Sequence, residues 1–332
     1  MSPYAIKVEN LTKEFDGVVA VDRISFTVET GELFGLLGPN GAGKTTTINI
    51  LSTLLKATSG SGEVAGFDIS KDKDDIRRSI GVVFQEPALD TKLTGRENLE
   101  FHGMMYGIEK EERRRRIKEV LELVELTEKA SVLVEKYSGG MKRRLEIARG
   151  LIHRPQVLFL DEPTLGLDTQ TRRRIWDYIK KLNKEGGVTI ILTTHYMEEA
   201  DFLCDRIAII DYGKFVAMDT PGRLKDTLGG DVVSMEVEGN VDDLVGQMKN
   251  FDWIKNLTRV DETLSLTMEK GERRIPELIQ AAQKKEVKVT CVHLRKPSLD
   301  DVFLHFTGRT IRREEAGPTS AHREMMRRRF RR

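Results

Sequence analysis

The run LFGLLGPNGAGKTT, residues 33–46, decides the fold. Five residues of apolar, strand-like pattern lead into a glycine-rich loop, and a helical pattern opens at Lys44. The loop has the spacing GxxxxGK[ST], and each residue type in it answers to phosphate chemistry. Glycines let the backbone wrap an anion with its N–H groups, Lys44 reaches the outer phosphates, and Thr45 offers a hydroxyl to Mg2+. Gly38, Pro39, Asn40, Gly41, Ala42, Gly43, Lys44, Thr45 and Thr46 are therefore candidate nucleotide-binding residues. The bland alternative is a structural glycine turn, and the strand-loop-helix context argues against it.

Working outward, residues 1–37 alternate like strands, and short apolar runs recur at 79–84, 157–160, 188–194 and 206–211. Helical patterning separates them at 44–55, 171–185 and 197–204. Strands alternating with helices imply an α/β fold with a mainly parallel sheet covered on both faces. Residues 95–137 are patterned as a helical insert. Its run EKEERRRR (109–116) mixes acids with bases, which on a helix reads as a solvated, ion-paired face rather than a nucleic-acid site.

Turn residues thicken near DTPGRLKDTLGGD (219–231), and the pattern changes. Strand, helix, two strands, helix and strand then follow by residue 294, with a short helix from Ser298. This βαββαβ order predicts a small α+β domain of ferredoxin-like type. The expected division is a nucleotide-binding domain over 1–225, a small domain over 230–310, and a basic, disordered tail over 311–332.

VLFLDEP (157–163) ends a buried strand in two carboxylates, which at such a place need a cation or a solvent-filled cleft. Asp161 is the expected Mg2+ ligand, and Glu162 can polarise a water for attack on a γ-phosphate. His195 follows the strand TIILTT at the sheet edge where ligands collect, so its ring N–H becomes a candidate γ-phosphate sensor. A lone histidine is usually structural; the neighbouring phosphate loop reverses that reading. Gln85, in VVFQEP, could reach Mg2+ or the attacking water. YSGGMKRRLEIARG (137–150) opens a second helix with Ser138, Gly139 and Gly140, which form an anion cradle without a lysine.

From Ile311 onward eight arginines face three glutamates, a charge of +5 in a chain of net +1, so the rest of the chain carries −4. A mildly acidic body argues against nucleic-acid binding by bulk electrostatics. Cys204 and Cys291 are too far apart in sequence for a CxxC site and fit a reducing compartment. No run reaches the ~18 apolar residues of a membrane span, so a cytoplasmic protein is expected, touching a membrane only through its surface or a partner.

The phosphate loop, Gln85 loop, SGG, LFLDEP, LGLD and TTH, in this order, resemble the ATP-binding subunit of an ABC transporter over about residues 4–225. The resemblance implies ATP and Mg2+ as ligands and Phe15 as the ring that stacks on adenine. It also implies two cassettes packed head to tail, each ATP lying between the phosphate loop of one and the SGG helix of the other, with Asp168 at that interface. Separate transmembrane permease subunits would complete the assembly at the cytoplasmic face of the cell membrane. PSLDDVFLHFTGR (297–309) resembles the C-terminal end of daunorubicin-resistance-type export subunits, which implies export of a drug-like or hydrophobic compound. The signature departs from the family's LSGGQ at Tyr137 and Met141. Two rivals fall short. A soluble ABC ATPase acting on ribosome or nucleic acid usually carries two cassettes or a long coiled coil, and a GTPase would need NKxD where this chain has NKEG (183–186).

Overall fold

The computed structural model of the chain describes residues 4–86 and 88–308, so the arginine-rich tail lies outside the described residues. β1 (Tyr4–Phe15) and β2 (Val18–Glu29) form an antiparallel hairpin across Asp16 and Gly17, both at positive φ. β3 (Leu33–Leu37) then enters a six-stranded sheet with β6 (Ile80–Val83), β7 (Val157–Asp161), β8 (Thr189–Thr194), β9 (Arg206–Asp211) and β10 (Lys214–Asp219). The order is β10-β9-β3-β8-β7-β6, parallel except at β10.

The mainly parallel sheet does not take in the N-terminal strands. β1 and β2 join β4 (Ser59–Val64) and β5 (Phe67–Asp68) in a separate antiparallel sheet. The reason is the Asp-Gly connection, which is too short for the crossover that parallel pairing requires and suits a tight hairpin.

β3 is buried on both faces because it runs between two cores. Leu33 and Leu37 pack with Leu160, Leu192 and Ile209 and with the helices α5 (Gly139–Leu151), α6 (Thr169–Gly186) and α7 (Met197–Leu203). Phe34 and Leu36 point the other way, toward Ile6, Val21 and Phe26 of the hairpin and Ile48 of α1 (Lys44–Leu51). Strand register places Leu37 beside Thr194 and Asp161 beside Thr193. The segments that follow β3, β7 and β8 therefore emerge at one sheet edge, where open parallel sheets bind ligands.

α2 (Lys73–Ser79) precedes β6, and the helical insert follows it as α3 (Gly95–Met105) and α4 (Lys110–Leu123). Thr94 and Glu97 form a capping box that starts α3. Arg114, Arg115 and Arg116 of α4 pair with Glu111 and Glu112, the solvated face read from the sequence.

After α8 (Pro221–Asp226) come β11 (Asp231–Glu238), α9 (Val241–Met248), β12 (Ile254–Val260), β13 (Thr263–Met268), α10 (Gly271–Lys284) and β14 (Lys288–Arg295). The four strands lie in the order β12-β13-β11-β14 with every neighbouring pair antiparallel. Val233, Met235, Leu264, Leu244 and Leu278 make a core of their own between this sheet and α9 and α10. The last helix, α11 (Leu299–Thr307), is capped by Ser298 and Asp301. Its Leu299, Val302 and Phe303 join Leu203, Leu224 and Leu228 in the core of the larger unit.

Candidate functional site

The phosphate loop is set by close packing beneath it and openness above it. Gly43 has φ +108°, and the Cβ it lacks would lie 2.5 Å from the Ala20 carbonyl oxygen of the hairpin. Asn40, Gly41 and Thr45 are exposed on the outer side, whereas Gly38, Ala42 and Lys44 are buried and Pro39 and Thr46 half-buried. Lys44 Nζ donates to the carbonyls of Gly38 at 2.8 Å and Pro39 at 3.0 Å, and lies 3.2 Å from Glu162 Oε1. Burial pulls the ammonium pKa down, against the pull of the Glu162 and Asp161 carboxylates.

Asp161 ends β7 with its side chain buried, and its Oδ1 accepts from the hydroxyls of Thr45, at 3.1 Å, and Thr193. Burial raises its carboxyl pKa, opposed by those two hydroxyls. Glu162 follows in a left-handed conformation, φ +46°, which costs a non-glycine residue ~1 kcal/mol. Its N–H holds that conformation by donating to the Thr193 carbonyl at 3.1 Å and hydroxyl at 3.0 Å. Glu162 Oε2 lies 3.2 Å from His195 Nδ1. Burial would raise the Glu162 pKa, but His195 and Lys44 together outweigh it and hold the carboxyl below its usual range. An ionised proton acceptor therefore stands between a buried cation and an imidazole.

Thr45 and Asp161 offer two hard oxygens side by side. Among the described residues no group of three or more His, Cys, Asp or Glu could hold a metal unaided. A Mg2+ here fits only with phosphate oxygens and water as its other ligands, its usual coordination beside a nucleotide.

Ser138 caps α5, its Oγ accepting from the Met141 N–H at 3.3 Å. Ser138 and Gly139 are exposed, and among the described residues no hydrogen bond or ion pair joins Ser138, Gly139 or Gly140 to the phosphate loop. Tyr137 turns inward and is buried, its hydroxyl donating to the Lys129 carbonyl at 2.7 Å, and Met141 packs half-buried against the larger core. Neither departure from LSGGQ lies on the exposed side of the cradle. Asp168 is exposed and caps α6, accepting from the Thr171 N–H at 2.9 Å and hydroxyl at 2.6 Å, bonds that lower its pKa.

Phe15 closes β1 with 37% of its surface exposed and the Lys13 ammonium 4.7 Å from its ring centre. Gln85 is exposed just past β6, and among the described residues no hydrogen bond joins it to Thr45 or Asp161. The carbonyl before it, on Phe84, accepts from Arg143.

Known proteins are similar to this chain in both of its parts. Residues 21–165 match the ABC transporter family, and residues 220–307 match the family described as ATP-binding protein DrrA1-3-like, C-terminal domain. The linearmycin resistance ATP-binding protein LnrL of Bacillus subtilis is 41% identical over 310 residues, which cover 92% of this chain and 99% of the relative. The daunorubicin resistance ATP-binding protein DrrA2 of Streptomyces coeruleorubidus is 41% identical over 326 residues, 95% of this chain and 99% of that one. This chain belongs to the ATP-binding subunits of ABC transporters. The ABC fold is seen again in a solved structure, the dimeric post-hydrolysis cassette MJ0796 bound to ADP and Pi. It is 32% identical with a TM-score of 0.58, over 65% of this chain and 98% of that one. The chain is thus an ABC ATPase.

Two polar residues that organise this ABC site escaped the sequence reading. Arg143 of α5 is buried and donates to the carbonyls of Pro163 at 2.7 Å, Asp161 at 3.0 Å and Phe84, tying the SGG helix to the carboxylate turn. Glu199 of α7 is fully buried beneath the same turn. A signal for Glu199 existed: it lies within the stripe formed by Met197, Ala200 and Leu203, the buried side of α7, while Glu198 does not.

Proposed function

We propose that this chain is the ATP-hydrolysing subunit of an exporter of drug-like, hydrophobic compounds, working as a head-to-tail dimer on the cytoplasmic face of the cell membrane. The observation that carries this reading is the convergence of Lys44, Asp161, Glu162 and His195 on one sheet edge. Its relatives over nearly the whole length, named for drug resistance, supply the direction of transport. The working division is a cassette over 1–225 with a helical subdomain at 95–137, and a second domain over 230–310 whose strand order supports a ferredoxin-like sandwich.

ATP lies with adenine on Phe15 and its phosphates in the loop from Gly38 to Thr46. Lys44 exchanges its carbonyl and Glu162 partners for β and γ oxygens. Thr45 and Asp161 would hold a Mg2+ that would supply positive charge to those oxygens, with Gln85 reaching the ion through one of its waters. Glu162, released from Lys44, accepts a proton from water as the water oxygen bonds to the γ-phosphorus. The bond from that phosphorus to the β-phosphate oxygen breaks, leaving ADP and phosphate. With Nδ1 turned to Glu162, His195 presents Nε2 to the γ-phosphate.

Ser138, Gly139 and Gly140 of the second copy close over the same γ-phosphate, with Asp168 beside them. The exposure of Ser138 and Gly139, and the lack among the described residues of any hydrogen bond from them to the phosphate loop of their own chain, support a site completed in trans. Binding favours the closed dimer and hydrolysis removes the bridge, a population shift driven by differential contacts. No helix among the described residues is long and apolar enough to cross a membrane, so in this reading separate permease subunits do so. The soluble alternative on ribosome or nucleic acid is not favoured, because residues 220–307 match the DrrA-type domain.

Glu162→Gln tests the reading. ATP should then hold the chain in a closed dimer, seen by size-exclusion chromatography, while turnover falls by about a hundredfold or more. Normal turnover in that variant would remove Glu162 as the base.

A further inference from the structure

Glu199 takes no part in the steps above, yet it is a carboxylate with none of its surface exposed. Its Oε1 accepts two hydrogen bonds, from the Thr164 hydroxyl at 2.7 Å and from the Trp176 indole N–H at 2.8 Å. Thr164 lies two residues past Glu162, Trp176 belongs to the helix that begins after Asp168, and Glu199 itself sits four residues past His195. One oxygen atom thus joins three segments of the site.

A second line of contacts closes the circuit. The ring of Tyr196 lies 4.1 Å from that of His195, and the Arg172 guanidinium stands 4.0 Å over the Tyr196 ring. Arg172 also donates to the Leu167 carbonyl at 3.4 Å, just before Asp168. Since Glu162 and His195 are themselves 3.2 Å apart, contacts run from Glu162 through Thr164, Glu199, α7 and His195 back to Glu162.

A buried carboxylate is expensive, and an apolar side chain of similar size would fill the space between α6 and α7 without that penalty. What an apolar side chain cannot do is accept from Thr164 and Trp176 together. The turn at Thr164 needs holding, because Glu162 just before it has positive φ.

We propose that Glu199 is a positioning residue for ATP hydrolysis: it clamps the Glu162 turn to α6 and α7 and passes movement of His195 to the Asp168 helix. This rests on the reading of Glu162 as the base. Loss of the clamp leaves the phosphate loop intact, so it should affect turnover and spare nucleotide binding.

The test uses the full-length chain carrying Trp253→Phe, which leaves Trp176, bonded to Glu199, as its single tryptophan. Thr164→Val removes one donor at nearly constant volume, Glu199→Leu removes the acceptor, and Glu199→Gln keeps an oxygen that accepts both bonds. Thr164→Val and Glu199→Leu should each lower kcat about tenfold, with the KM for ATP within about twofold and the ATP-induced change in Trp176 emission lost. Glu199→Gln should recover most of both. Thr164→Val carries the test if Glu199→Leu does not fold. The proposal is overturned by wild-type kcat in Thr164→Val, by a loss of ATP binding as large as the loss of kcat, or by Glu199→Gln as impaired as Glu199→Leu. Wild-type kcat in Thr164→Val beside lost turnover in Glu162→Gln would sink the clamp alone. Normal turnover in Glu162→Gln would sink the base reading first.

Discussion

The Cβ that Gly140 lacks would lie 2.4 Å from Cγ2 of Thr171, and Thr171 is the residue whose N–H and hydroxyl both donate to Asp168. The first turns of α5 and α6 therefore meet without slack, and the anion cradle is coupled to the Asp168 loop within one chain. Gly140→Ala forces either a shift of α5 or a rotation of Thr171 that breaks its hydroxyl bond. Overpacking of this kind costs about 1–3 kcal/mol. We expect a lower melting temperature and a turnover that falls more than ATP affinity does. Adding Thr171→Ser, which deletes the offending methyl and keeps the hydroxyl, should restore both. A double variant no better than Gly140→Ala would show that the contact is not the cause.

Ser138 separates capping from dimer closure. Ser138→Ala removes the cap of α5 and should cost about 1 kcal/mol of stability. Ser138→Arg loses the same cap and places a long cation at the exposed cradle. Both variants should bind ATP as monomers with wild-type affinity, measured by equilibrium titration. In a Glu162→Gln background only Ser138→Arg should fail to form the ATP-held dimer on size-exclusion chromatography. Dimer formation by Ser138→Arg would end the trans-site reading.

How much of this was legible in the sequence follows from where each residue gets its meaning. Lys44, Asp161 and His195 are each fixed by the element they end or begin, so strand-to-loop patterning alone places them on one edge. Arg143 acts on segments distant in sequence, and nothing local distinguishes it from a solvated helix charge; the apolar stripe of α7 marks Glu199 as buried but does not say what it holds. Tyr137 shows the converse: in sequence it stands beside the anion cradle as a departure from LSGGQ, but its ring fills the helical insert, where its hydroxyl meets the Lys129 carbonyl. The helical signal at 298–307 was clear, but its destination was not, because an apolar helix face does not say which core it enters.

A groove of about 310 Å³ between α3 and the sheet gives the chain a pH response. His102, Tyr106, His153 and Arg149 line it, and the Tyr106 and His153 rings stack with centroids 4.0 Å apart. Burial first, then the charge of Arg149 and the neighbouring His153, bring the pKa of His102 down to about 4. In an unfolded chain a histidine titrates near 6.5. Between those values the unfolded state takes up a proton that the folded state refuses, so this contribution is complete above about pH 6.5 and is lost as pH falls toward 4. The buried carboxyls of Glu146 and Glu199, whose pKa values burial raises, act in the opposite sense, so the variant-minus-wild-type difference is the quantity to read. Thermal melts from pH 7.5 to 5 should show a smaller loss of stability in His102→Phe than in wild type. Parallel curves would remove His102 as the source.

Phe303 is 1% exposed and sits, with Leu299 and Val302, against Leu203, Leu224 and Leu228. The helix α11 therefore belongs energetically to the nucleotide-binding unit, although it follows the small domain in sequence. Phe303→Ala should cost about 3–5 kcal/mol, the usual range for a large buried ring, and lower the melting temperature by about 10 °C. Truncation at two points isolates the part that α11 plays. A chain ending at residue 229 strips the cover from Leu203 on α7, the helix that also carries Glu199, whereas one ending at residue 308 leaves that cover in place. The shorter chain should melt well below the longer one, and the longer should match full length in ATP binding and turnover. Equal melting temperatures for the two would show that α11 adds nothing to the nucleotide-binding unit.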